Sequence, residues 1–378
     1  LLQRLIAFPS VYTAPDYAAI TDDVIGLLEP LGVRCHRLPD ATGTRAGLFA
    51  ATGPEGPGGV LLSAHLDVVP VEGQDWIFDP FGGTLSEGRI YGRGACDMKG
   101  FIACVLAMAP EFAHSQLKRP IHFAFTHDEE IGCLGAADLV VALEGRGIKP
   151  AMAIIGEPTE MRIIEGHKGC FEYTTHFHGL EGHGSSPDLG VNAVEYAVRY
   201  VSRLLELKEM LRARAPMGSR FEPPWTTLNV GGMRGGVAHN VIASRAHVDW
   251  EMRPVQADDA AFVKDRLNDY IDRVLLPQMR AVDPEADIFT EVIGEVEGLE
   301  PVEENLARQI VAELTGDNRA DVVPFGTEAG IFQGLGMDVV VCGPGSIEQA
   351  HKADEYVSVA QLDRCIDMLG RLGDKLAS

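Results

Sequence analysis

At 378 residues the chain exceeds what a single hydrophobic core usually serves, so two domains are expected. Hydrophobic residues at 46% and charged residues at 23% exclude a disordered chain. With 32 Lys plus Arg against 55 Asp plus Glu, the formal charge of -23 argues against nucleic acid and anionic membranes as partners; a metal or a cationic substrate suits it better, although an acidic surface also serves solubility alone.

Leu1 to Pro9 reads as the start of an amphipathic helix around Arg4, without the apolar stretch of a signal peptide; the first residue is not Met, so the natural start and export stay open. Val60 to Ala64, Ile121 to Thr126, Ala151 to Ile155 and Val339 to Cys342 are short apolar runs that read as buried strands, far below the ~20 residues of a membrane span. Lys99 to Ala109 and Gly135 to Leu143 read as helices between them, which makes an α/β sheet. The middle changes character: Phe171 to His178 and Ala243 to Arg253 alternate like half-solvated strands, Asn192 to Leu211 and Asp258 to Leu275 are helical, and Ala215 to Gly236 reads as loops around one short strand. An α+β domain of ferredoxin-like type is therefore expected over 168–296, inserted into a mixed-sheet domain made of 1–167 and 297–378. Seven cysteines (Cys35, Cys96, Cys104, Cys133, Cys170, Cys342 and Cys365), odd in number and without a Cys-x-x-Cys pair, fit a reducing, cytoplasmic compartment. The glycines at Gly92 to Gly94 lack the spacing of a dinucleotide or phosphate loop.

Polar residues collect where strands end. His65 and Asp67, two apart on an extended chain, share a face. Ile121 to Thr126 runs into His127, Asp128, Glu129 and Glu130, a crowding of acids that a cation would offset but that a solvated loop before a helix also explains. Ala151 to Ile155 runs into Glu157, Val339 to Cys342 runs into a glycine loop that reaches His351, and Asp97 precedes the Lys99 helix. Each has a plain structural reading; together they gather where open α/β sheets place their sites. Two His and three carboxylates without a thiolate suit paired Zn, Co or Mn better than structural zinc.

The stretches SAHLDVVP (63–70), YGRGACDMKG (91–100), HDEEIG (127–132), IIGEPT (154–159), GHGSSP (182–187), FGTEAGIF (325–332) and GPGSIEQAHKADEY (343–356) resemble, in order, the M20 family of metallopeptidases and deacylases, especially its acetylornithine-deacetylating branch. The resemblance implies that Asp97 bridges two divalent metals, Zn2+ or else Co2+ or Mn2+. His65 and Glu157 complete one, and Glu130 and His351 the other. It makes Glu129 the general base, Asp67 the carboxylate that orients His65, and Asp97–Met98 a cis peptide. The inserted domain becomes a lid and dimerisation domain, and His183, which by itself reads as surface decoration, reaches the active site of the other subunit of a homodimer. Asn240 and Arg253 are implied to hold the substrate carboxylate, with a salt bridge as the competing reading for Arg253. Glu328 is expected to face an ornithine ammonium, with Thr327 and the loop from Gly343 to Ser346 completing the pocket.

The implied reaction is hydrolysis of N2-acetyl-L-ornithine to acetate and L-ornithine, as in arginine biosynthesis. N-acetylcitrulline, succinyl-diaminopimelate and dipeptides are the alternatives within the family. A catalytically silent relative is the alternative outside enzymes, against which the intact set of ligands and Glu129 argues. His239 before Asn240 departs from the usual pattern and bears on fine specificity.

Overall fold

The computed structural model describes all 378 residues. They divide into two compact units: Leu1–Gly166 with Pro301–Val322 and Thr327–Ser378, and His167–Glu300 with Val323–Gly326. The short 323–326 segment, expected with the first domain, groups with the second. No helix is long and apolar enough to cross a membrane.

The first unit is built on an eight-stranded mixed sheet in the order 34–39, 46–52, 121–126, 60–65, 152–158, 338–343, 163–167, 320–323. Its four central strands, the four apolar runs of the sequence, lie parallel, while the 34–39, 46–52 and 163–167 strands pair antiparallel. Nearly every residue of the central four is buried, as expected of parallel strands covered on both faces. The Lys99–His114 helix is buried without a break from Lys99 to Leu106 and packs against the C-terminal helix Val359–Ala377. That last helix shows core residues at Cys365, Met368, Leu369, Leu372 and Leu376, and the Ser358 hydroxyl caps it by accepting from the Gln361 N–H. Because the central strands are parallel, their carboxyl ends, with His65, Thr126 and Glu157, reach one edge together.

His122 lies inside this sheet with its ring stacked 5.5 Å from Phe49, and burial pushes its pKa down to about 4. The unfolded chain, with a histidine pKa near 6.5, binds the extra proton between those values, so this contribution to stability is complete above about pH 6.5 and declines as pH falls. His122→Phe is expected to remove about 2 kcal/mol of the stability difference between pH 8 and pH 5, measured by urea unfolding at both; an unchanged difference refutes the assignment.

The second unit runs strand, helix, strand, strand, helix, strand, its antiparallel sheet ordered 227–235, 245–253, 170–178, 287–296. This is the ferredoxin-like arrangement. Alternate residues Phe171, Tyr173, Phe177, Val248, Trp250 and Met252 enter its core with Tyr200, Leu204 and Leu207 of the Ala193–Ala213 helix, which the Asn192 side chain caps through the Val194 N–H. The segment expected as loops around a short strand holds a nine-residue strand, Thr227–Gly235, because it pairs along its length with Arg245–Arg253.

Candidate active site

The strand ends and loops that carry His65, Glu129 and Glu130, Glu157 and His351 converge on Asp97. His65 closes the 60–65 strand, buried, with Nδ1 2.9 Å from the backbone carbonyl of Asp67. A carbonyl only accepts, so Nδ1 donates to it and Nε2 is the ring atom turned to the cluster. That Nε2 lies 3.1 Å from Asp97 Oδ1 and 3.9 Å from Glu157 Oε1. The other oxygen, Asp97 Oδ2, lies 3.3 Å from His351 Nε2, which is 3.2 Å from Glu130 Oε2. Asp97 thus divides its oxygens between two imidazole and carboxylate pairs. The Asp97–Met98 peptide is cis.

Local sequence explains these placements. Glu157 follows Gly156, where a Cβ would sit 2.0 Å from the Phe101 ring; without a side chain there, the 99–114 helix lies directly on the strand beside Glu157. Of the three consecutive acids, Asp128 turns away, accepting from the Tyr17 hydroxyl at 2.6 Å and from Arg45 at 2.9 Å, which hold its pKa down with His127 against the effect of burial. Glu129 and Glu130 face the cluster.

Asp67 departs from its expected part. Its carboxylate Oδ1 stands 3.7 Å from His65 Nδ1, too far for a hydrogen bond, and the residue steadies His65 through its carbonyl instead. The carboxylate accepts the backbone N–H groups of Glu129 and Glu130, each at 3.1 Å, and so fixes the loop that presents both.

Glu328 corrects the sequence expectation outright. It is 1% exposed, and its two oxygens accept from the hydroxyls of Ser63 and, at 2.8 Å, Thr126. With both oxygens turned into the sheet, it ties two central strands together and does not present a carboxylate to a substrate ammonium. Thr327 is equally buried, its hydroxyl accepting from the Ala329 N–H at the start of the 329–334 helix. Gly343 closes its strand against Thr159, and Ser346 bridges to the same residue. Three further candidates belong to the second unit. His183 is exposed, with Nδ1 accepting from the Ser185 N–H at 3.2 Å; Asn240 is exposed; Arg253 is half-buried and donates twice to Glu251, at 2.8 and 3.1 Å.

The donor set fits metal. Ligand atoms of His65, Glu129 and Glu157 lie within 4.8 Å of one another, as do those of His65, Asp97 and Glu130. Burial, then the neighbouring carboxylates, raise the pKa of Glu130 and Glu157 and push Glu129 up to about 8. Hydrogen bonds to Asp97 and Glu130 lift His351 to about 10. So much negative charge in so little water calls for cations, and oxygen and nitrogen donors without thiolate suit Zn, Co or Mn.

Residues 61–375 match peptidase family M20/M25/M40. The chain belongs to that family. It is a metallo-hydrolase, and its fold and donor set accord with a dinuclear metal-binding family. It is 33% identical to the acetylornithine deacetylase of Proteus mirabilis and 36% identical to that of Myxococcus xanthus, in each case over 98% of this chain and 95% of the relative. Among solved structures it resembles an M20 family metallo-carboxypeptidase of Sulfolobus solfataricus, with a TM-score of 0.76 at 18% identity over 100% of this chain and 98% of that one. It also resembles a dinuclear metal binding M20 peptidase of Bacillus subtilis, with a TM-score of 0.65 at 15% identity over 98% of this chain and 95% of that one.

Several residues of the site carry no sequence signal of their own. Cys133, whose thiol lies 3.4 Å from Glu129 Oε1, is legible only from the fold. Arg93 and Glu355 lie within the family-like stretches, but nothing in their spacing marks them as partners.

Proposed function

We propose that the chain hydrolyses the amide of N2-acetyl-L-ornithine to acetate and L-ornithine, with His65, Asp97, Glu130, Glu157 and His351 holding two divalent cations, Zn2+ first and Co2+ or Mn2+ as substitutes. The observation that carries the chemistry is the division of Asp97 between the His65 and His351 sides of the cluster. When bound, such cations supply Lewis acidity to a carbonyl and acidity to a water. Glu129 takes the proton of the attacking water and returns it to the departing amine. Asp67 keeps Glu129 at that post through its backbone N–H.

The choice of ornithine is supported by the relatives at 33% and 36% identity and no longer by Glu328. Asn240 and Arg253 remain the proposed holders of the substrate carboxylate, Arg253 exchanging or sharing Glu251, with the Gly343 to Ser346 loop beside the scissile bond. Seven free cysteines fit the cytoplasm, and a homodimer is the proposed working form. The neighbours that are peptidases keep one alternative alive, a dipeptidase.

The test is hydrolysis of N-acetylornithine, N-acetylcitrulline, succinyl-diaminopimelate and dipeptides side by side on metal-loaded enzyme. The expected order puts N-acetylornithine highest in kcat/KM. A higher value on any other compound moves the substrate within the family, and failure on all of them with two metals bound refutes the proposal.

A further inference from the structure

The loops that carry Asp97 and His351 meet on a buried ion pair. Arg93 and Glu355 have side chains each 1% exposed, with Arg93 Nη1 2.7 Å from Glu355 Oε2. The Glu355 carboxylate also accepts three backbone N–H groups, from Gly94 at 3.1 Å, Cys96 at 3.0 Å and Asp97 itself at 3.1 Å. Arg93 donates to the Lys352 carbonyl at 3.3 Å and to Gln74 Oε1 at 2.6 Å, and Gln74 in turn donates to the His351 carbonyl at 2.8 Å. Pairing of Tyr356–Ser358 with Arg89–Tyr91, and of the Gly92 N–H with the Glu355 carbonyl at 2.9 Å, holds Glu355 beside the turn.

Stability alone does not account for this arrangement. A buried ion pair is often no more stabilising than an apolar pair of the same volume, because both charges lose their water. What an apolar pair lacks is acceptors for three N–H groups and donors for the carbonyls beside His351. These hydrogen bonds converge on the backbone of two loops that are 254 positions apart in sequence, Asp97 to His351. Asp97 and its acidic neighbours repel one another until cations arrive, so something must hold the backbone against that repulsion.

We propose that Arg93 and Glu355 are positioning residues, which fix Asp97 and His351 in the geometry that takes up the metals and so set metal affinity. The inference rests on Asp97 and His351 being metal ligands. Outer hydrogen-bond partners of ligands are worth roughly ten- to a hundredfold in metal affinity.

The test uses the full chain stripped of metal, titrated with Zn2+ against a chromophoric chelator, with far-UV circular dichroism and thermal unfolding of the metal-free protein alongside. Glu355→Gln turns one acceptor into a donor facing the Gly94 N–H and Arg93, and Arg93→Lys keeps the charge but loses the fork. Both are expected to bind Zn2+ about ten- to a hundredfold more weakly while the metal-free secondary structure persists. Should Glu355→Gln lose cooperative unfolding, Arg93→Lys decides. Asp97→Asn run in parallel separates the two levels. If it loses Zn2+ while the Arg93 and Glu355 variants stay within about threefold of wild type, the positioning role is overturned and the ligand assignment stands. If Asp97→Asn binds as wild type does, the ligand assignment falls first. A lowered melting temperature with unchanged Zn2+ affinity marks a purely structural ion pair and also overturns the proposal.

Discussion

Glu129→Ala is expected to lower kcat by roughly 10² to 10⁴, the usual worth of a general acid-base group, while metal content stays at the wild-type value. The expectation follows from how the 127–130 loop apportions its acids. Asp128 is paired with Tyr17 and Arg45, Glu130 with His351, and Glu129 meets the cluster with no imidazole hydrogen-bonded to it. Its carboxyl oxygen instead accepts from the weak donor Cys133, so the group stays basic. Burial and the surrounding acids push its pKa up to about 8, and a cation nearby draws that value down, which leaves the carboxylate free to take a proton near neutral pH. Because Glu129 also stands within reach of His65 and Glu157, it has a second possible part, as a ligand. Metal analysis of the purified variant distinguishes the two. Loss of one metal per subunit makes Glu129 a ligand, and near-normal kcat with both metals present sinks the base assignment.

How much of this was legible from residues alone depended on burial. The four central strands announced themselves because parallel strands covered on both faces demand unbroken apolar runs, and the polar residues that stop those runs are the residues that meet at the sheet edge. The 287–296 strand left no such mark: only Ile288 and Val296 are buried, so its sequence shows no period of two, and it is a strand because 170–178 offers it partners. The 34–39 strand is half-exposed along its length and was equally silent.

The site repeats the contrast. Residue type and position drew attention to His65, the acids after Thr126, Glu157, Asp97 before its helix and His351 in its loop, each with a plain structural reading of its own, and only the family resemblance gave them separate parts. Direction was not available. Glu328 sits in a family-like stretch as an acid of suitable charge, yet its carboxylate points to Ser63 and Thr126, and nothing short of the packing of the 329–334 helix fixes that choice. For Asp67 the sequence gives the right residue and the wrong atom, because an extended pair two apart admits a bond from either the carbonyl or the carboxylate.

His183→Ala is expected to lower kcat by about 10² to 10³, the worth of one donor to a developing oxyanion, with little change in metal content. The side chain is exposed in the 182–187 turn, and its Nδ1 accepts the Ser185 N–H, so the neutral ring carries its proton on Nε2 as a donor. The proposed homodimer puts that donor at the neighbouring subunit's metal centre, which makes a sharp distinction possible. A His183→Ala subunit keeps an intact metal cluster and lacks the donor; an Asp97→Asn subunit keeps the donor and lacks the cluster. Dissociated and reassociated together, half of the dimers are expected to be hybrids, each with one complete site, so about a quarter of wild-type activity should return. If each His183 serves its own subunit, no hybrid contains a complete site, and the mixture shows no more than the sum of its parts. An affinity tag on the Asp97→Asn subunit, which retains untagged His183→Ala subunits only after exchange, establishes that hybrids have formed, so an absence of recovery counts against the shared site and not against the mixing.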